Sequence, residues 1–360
     1  MKLTHIAKYV DQPLITNKIS QAAPLVLAGC ATGLGIHDVF IKKHDNNQST
    51  KDRIIKNAVI LGTVAGASLL TARGLSLGGK KIFYGLIETP EKNELIKEQT
   101  KAINNFIEQF KPTDKKLVDI LNNAKEKALN LKDTGYVIDK LTKNKDAQPL
   151  LEKLFGAKKD LSSKEIFSEI GKLSLLGLIP VVSGVAAGIA VENGPKKVHN
   201  NSDRIKEGFY QYFANIFLCN VGAGAALFGL ESLKKFNMIK SISPTQKFVA
   251  MIGGIMATGV IGGSFIANYM SKKLIDPILL NKKEENLTLS KIYDERTPEG
   301  IDMAMHIDDL ATAGVLSGLK WIEPVLPAFY LFSGYRAGMG YRNQEHSHFP
   351  SKQKHIQGFK

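Results

Sequence analysis

The chain has 360 residues, 44% of them hydrophobic, and a formal charge of +14 at pH 7. That length holds two ordinary soluble domains, or one membrane domain with an insert. The basic residues hug the ends of apolar runs and the tails rather than forming one stripe among exposed aromatics, which excludes nucleic acid as the natural partner and fits a lipid bilayer with anionic head groups.

The pattern predicts an all-α, polytopic helical membrane protein of about six spans, arranged as three hairpin repeats with a soluble helical insert. A bilayer core needs about 20 apolar residues per helix. In chain order, residues 1–87 hold an N-terminal tail and a first transmembrane hairpin, with spans near 21–41 and 58–79. Within the first span, Leu27-Ala28-Gly29-Cys30 has the form of a bacterial lipobox behind Lys2, Lys8 and Lys18. Apolar residues continue past the cysteine, so Cys30 and Cys219 are read as buried, unpaired thiols.

Residues 88–169 are a hydrophilic helical insert, nearly balanced at 16 Lys against 15 Asp or Glu. Leu95, Ala102, Ile103, Phe106, Ile107 and Phe110 keep a helical period that Pro112 ends. Asp114 caps a second helix expected through Leu131, and Ser162 with Glu165 has the form of a capping box. The second hairpin (170–245) has spans near 173–191 and 209–230. The third (246–340) has spans near 248–270 and 310–335, the last interrupted by Pro324 and Pro327. Residues 341–360 are a disordered basic tail, in which His346 and His348 are read as solvated.

Every apolar run carries a small-xxx-small pair. The strict ones are Gly29/Gly33, Gly62/Gly66, Gly184/Gly188, Gly259/Gly263 and Gly314/Gly318. All ten glycines are assigned to helix packing, because the pattern places a flat stripe on one helix face. Three of these pairs share a tail. Asp38 precedes Lys42-Lys43, Glu192 precedes Lys196-Lys197, and Asn268 precedes Lys272-Lys273, four positions before the first lysine each time. These residues are either solvated helix ends with snorkelling lysines or a ring of charge that gates a path. The sequons at Asn47, Asn200 and Asn286 are read as turn chemistry.

Chemistry is sparse. Gly74-Leu75-Ser76-Leu77-Gly78 matches a nucleophile elbow, but an apolar helix is expected before it rather than a strand. No catalytic residue, cofactor or metal ligand is assigned, and no enzymatic activity is expected. Three hairpins with charged ends on the odd helices resemble mitochondrial-type solute carriers in general plan. The proline-x-acid-x-x-base signature of that family is absent here, since acid and base stand four apart with no preceding proline. The resemblance implies a central path around a pseudo-threefold axis. Two functions follow: a membrane-organising or interaction protein, with the insert as docking surface for a second copy or a protein partner, or a small-solute or ion transporter. A continuous polar route through the bundle separates them.

Overall fold

The computed structural model describes residues 3–41, 49–83, 91–156, 163–193, 197–239, 242, 244–270, 273, 307–316 and 319–340. Among them, the regular structure is helical apart from one short hairpin. Four helical stretches are long and apolar enough to cross a membrane: Pro13–Phe40, Thr50–Arg73, Ser168–Ala190 and Asn200–Lys235.

Helix α1 (Leu3–Val10) leads through Gln12 into α2 (Pro13–Ile36), where Pro13 takes a first-turn position that needs no N–H. A wide π turn, His37–Ile41, extends α2. Helix α3 (Thr50–Arg73) opens under Ser49, whose hydroxyl accepts the Lys51 N–H. It ends at Gly74, short of residue 79, where the sequence had placed the end of the span. The reason lies in the next turn. Gly78 and Gly79 both take positive φ, 57° and 75°, and close a two-residue hairpin between β1 (Leu75–Leu77) and β2 (Lys80–Phe83). Ser76 therefore sits on a strand that follows a helix, the reverse of the order a nucleophile elbow requires.

The insert forms its own core. Helix α4 (Lys92–Phe110) stops at Lys111, which turns left-handed ahead of Pro112. Asp114 caps α5 (Lys115–Asn123) by accepting the Leu117 N–H at 3.1 Å. That helix ends well before Leu131, because Asn130 caps a separate helix, α6 (Leu131–Leu141). With α7 (Gln148–Phe155) these pack around Ile103, Leu121, Val137 and Leu154, all buried. The N-terminal segment joins this core. The Gln12 amide donates to the carbonyls of Tyr9 and Leu129 at 3.0 Å and accepts the Leu129 N–H at 2.7 Å. Ser162 lies outside the described residues.

The apolar bundle is organised around α8 (Ser163–Ala190). Beside it run α9 (Lys197–Tyr212), a wide π turn at Phe213–Phe217, and α10 (Leu218–Lys235), as one continuous rod. Helix α11 (Pro244–Ile255), a π segment Met256–Ile261 and α12 (Gly262–Met270) follow. The stretch expected as the last span is broken into α13 (Ile307–Leu316), a 3-10 turn Lys320–Val325, and α14 (Leu326–Met339). Pro324 bars a regular α-helix through the 3-10 turn, and Pro327 takes a first-turn position of α14 that needs no N–H.

Helices α8 and α14 run in the same direction, Gly184 against Gly334 and Gly188 against Gly338. A Cβ on either α8 glycine would strike the facing α14 backbone carbonyl. Helix α3 covers this seam through Val64 and Ile60. Gly222 meets Gly254 backbone to backbone, Gly259 abuts Cys219, and Gly263 abuts Ala214. Around Gly29, Gly33, Gly62 and Gly66 a Cβ would meet nothing within 4 Å. At Gly314 it would meet the Ile322 side chain at 2.8 Å, and Gly318 lies outside the described residues. Outward-facing apolar side chains such as Leu25, Leu70, Val182, Val249 and Phe265 coat the bundle.

Candidate functional site

The most unusual feature of the bundle is polar and internal. On the α9–α10 rod, Arg204, Glu207, Gln211, Asn215 and Asn220 are all buried, Glu207 and Gln211 completely. The Gln211 amide donates to Glu207 and the Asn215 amide donates to Gln211, each at 2.8 Å. These three stand four apart, so they share one helix face. Asn220 is five further on and would leave that face in a regular helix. The π turn keeps it there: the Leu218 N–H reaches back five residues to the Phe213 carbonyl and absorbs the extra residue.

The register against α8 gives the depth of this file. Gly188 lies beside Arg204, Gly177 beside Ile216, and the Asn220 amide donates to Ser174 at 3.3 Å. From residue 188 back to 174, α8 rises about 21 Å, through its most apolar stretch. The file therefore runs alongside most of the length over which α8 is fit to cross a membrane.

At the Ser174 end the file reaches the broken helix. Tyr330 on α14 hydrogen-bonds Thr312 on α13 at 3.1 Å and also bonds Asn220. Asp308 and Asp309, in the first turn of α13, are buried there, and Asp309 bonds the Cys219 thiol.

At the other end the file meets a cluster of charge. The Arg204 Nε donates to the Gly338 carbonyl at 2.8 Å, Nη1 to Asn201 at 3.0 Å, and Nη2 to Glu192. Glu192 also accepts from Asn200 at 2.7 Å and lies 3.5 Å from the Lys56 ammonium. Burial pushes the Glu192 carboxyl up, but the bonds from Asn200 and Arg204 and the charges of Lys56 and Arg204 outweigh it and hold it below the usual carboxylate range. Next to Lys56, Asn57 donates to Asp38 at 3.2 Å and accepts from the Tyr335 hydroxyl.

Asp38 and Glu192, read from the sequence as equivalent, are thus brought to the same end of the bundle on either side of the Lys56–Asn57 step. Asn268 falls on α12 with its side chain outside the described set, and Lys42, Lys196 and Lys272 are outside it too. The pairing of each acid with the lysine four residues on therefore lies beyond the described residues. Asn200, part of a sequon, is helical and spends its amide on Glu192. Lys56, Arg204, Glu207, Gln211, Asn215 and the α13 carboxylates escaped the sequence reading. The signal was the four-residue spacing of polar residues leading into an apolar run at 209–230. Gly334 and Gly338 were likewise passed over in favour of Gly314 and Gly318.

Among the described residues no group of three or more His, Cys, Asp or Glu is arranged to hold a metal ion. Comparison with protein-family models, with curated proteins and with solved structures finds no match for this chain.

Proposed function

We propose that the chain is a non-enzymatic, multi-pass integral membrane protein that conducts protons or a small monovalent cation along the file from Glu192 to Asp309. The observation that carries this is the row of buried polar side chains along one face of the α9–α10 rod, beside about 21 Å of an apolar helix. Ionisable groups in such a setting are expensive and mark ion paths. A helix broken at the Ser174 end of the file and a π turn beside the path belong to the same design, because irregular backbone at membrane depth is tolerated where it lines a route. In this reading α11 to α12 adds a fifth span, and α14, which runs parallel to α8, returns to the end of the bundle that holds Glu192.

The sign of the charge selects the cargo. The whole chain is formally +14, yet among the described residues of the bundle six acids are buried, Asp38, Glu192, Asp203, Glu207, Asp308 and Asp309, against Arg204, Lys206 and Arg336. An interior richer in carboxylates than in cations attracts protons or cations and repels anions. A second reading, membrane organisation by self-association, draws on the outward stripe of Gly29, Gly33, Gly62 and Gly66, which no described residue covers.

Reconstitution into liposomes tests the proposal, with internal dyes for protons, sodium and potassium. The purified chain is expected to pass at least one of the three above the rate of empty liposomes. Glu207→Gln is expected to cut that rate about tenfold, the equivalent of 1.4 kcal/mol, with the thermal melt retained. Rates equal to those of empty liposomes for all three ions would refute conduction.

A further inference from the structure

Resting on the conduction reading above, we infer that Lys56, Glu192 and Arg204 form a gate across one end of the file, with Glu192 as its moving part. The three groups are anchored unequally. Arg204 is fixed on three sides. It is 1% exposed, its Nε is tied to the Gly338 carbonyl, and its aliphatic stem lies in a slot between Gly188 and Gly340. A Cβ on Gly188 would fall 2.7 Å from the Arg204 Cδ, and one on Gly340 would fall 3.0 Å from its Cγ. Glu192 has no such frame. It lies two residues past the end of α8, its backbone N–H on the Ile189 carbonyl at 3.3 Å, and among the described residues its carboxylate is held by Lys56 from α3 and by Asn200 and Arg204 from α9.

That one carboxylate therefore draws α3, the end of α8 and α9 together, and Arg204 carries the connection to α14. A second tie lies beside it, where Asn57 links the wide turn after α2, through Asp38, to Tyr335 on α14. Glu192 faces Lys56, Asn200 and Arg204, with Asp38 acting on it through Lys56. The conducted species supplies the trigger. A proton taken from water onto Glu192, or a cation arriving from the file, neutralises the carboxylate that Lys56 and Arg204 share. Lys56 is then released toward solvent while Arg204 stays on Gly338, and the end of α8 parts from α3. Breaking one partner of a buried ion pair leaves the others uncompensated, which draws in water.

The native thiol of Cys219 reports the opening. It is 1% exposed and lies well inside the clasp along the rod. In a Cys30→Ser background, reconstituted in nanodiscs so that both faces are accessible, its labelling by a polar maleimide measures how often water reaches the file. Glu192→Gln is expected to raise the labelling rate about tenfold or more, and Lys56→Gln less, because Arg204 still holds the carboxylate. Both variants are expected to keep a cooperative melt. An unchanged rate in both folded variants overturns the gate, and if Glu192→Gln does not fold, an unchanged rate in Lys56→Gln alone overturns it. The two readings fail separately. Faster labelling without ion flux supports the gate and refutes the proposed cargo, whereas flux with unchanged labelling leaves conduction standing and removes the gate.

Discussion

Gly188 shows how one missing side chain serves two purposes. Its bare backbone lets α8 touch the Gly338 carbonyl, and it leaves room for the Arg204 stem. Even a methyl group there collides with backbone on one side and a fixed guanidinium arm on the other. Gly188→Ala is expected to destabilise the protein by about 1–3 kcal/mol or more, the range for overpacking a rigid site. Gly66→Ala is the counterpart. It meets open space and replaces a helix-interior glycine, so a gain of about 0.5–1 kcal/mol is expected. Thermal melts in detergent compare the two. Should Gly66→Ala destabilise as much as Gly188→Ala, that face is occupied by a second copy and the self-association reading gains. Both glycines look alike in sequence, each in a GxxxG pair. What differs is whether another helix arrives at the stripe, and Gly334/Gly338 supplies that partner for only one of them.

At the scale of elements, the insert was the most legible part. The period from Leu95 to Phe110 and the Asp114 cap locate α4 and the start of α5. The end of α5 was misplaced because Asn130 caps a new helix, and caps compete locally in a way that periodicity does not reveal. Nor did periodicity reveal that α1 packs on α6, because the joint is made by polar side chains that bond far away in sequence, His5 to Asp139 and Gln12 to the Leu129 backbone. Asp114 carries a pH signature of its own. Hydrogen bonds from Lys140, the Leu117 N–H and Tyr136 lower its carboxyl from the ordinary 3.8 to about 2. A depressed carboxylate contributes stability that is complete above its ordinary value and is lost as pH falls through the folded value. The insert helices are therefore expected to weaken on acidification between those two values, and Asp114→Asn is expected to flatten that dependence in urea titrations of the whole protein. Parallel loss in both proteins would show that Asp114 is not responsible.

For the whole molecule, a polar file runs inside a largely apolar core while apolar side chains coat the outside over the length of α8, an arrangement that suits lipid as solvent. Composition and run lengths made the helical class and the apolar stretches legible. The polar file stayed hidden because Glu207, Gln211 and Asn215 are ordinary helix residues one at a time, and only the π turn and the α8 register align them with Asn220 and Asp309. Val182 tests the central claim most directly. It is 56% exposed on the outer side of α8, between the levels of Ser174 and Gly188 that bracket the file. A nitroxide attached at Val182→Cys, in a Cys30→Ser background in nanodiscs, is read for collisions with oxygen, which concentrates in the bilayer core, and with a water-soluble nickel chelate. If the file lies within the membrane, oxygen relaxes the label strongly and the chelate hardly at all. Strong relaxation by the chelate and weak relaxation by oxygen would put Val182 in water and contradict a polar path across the bilayer.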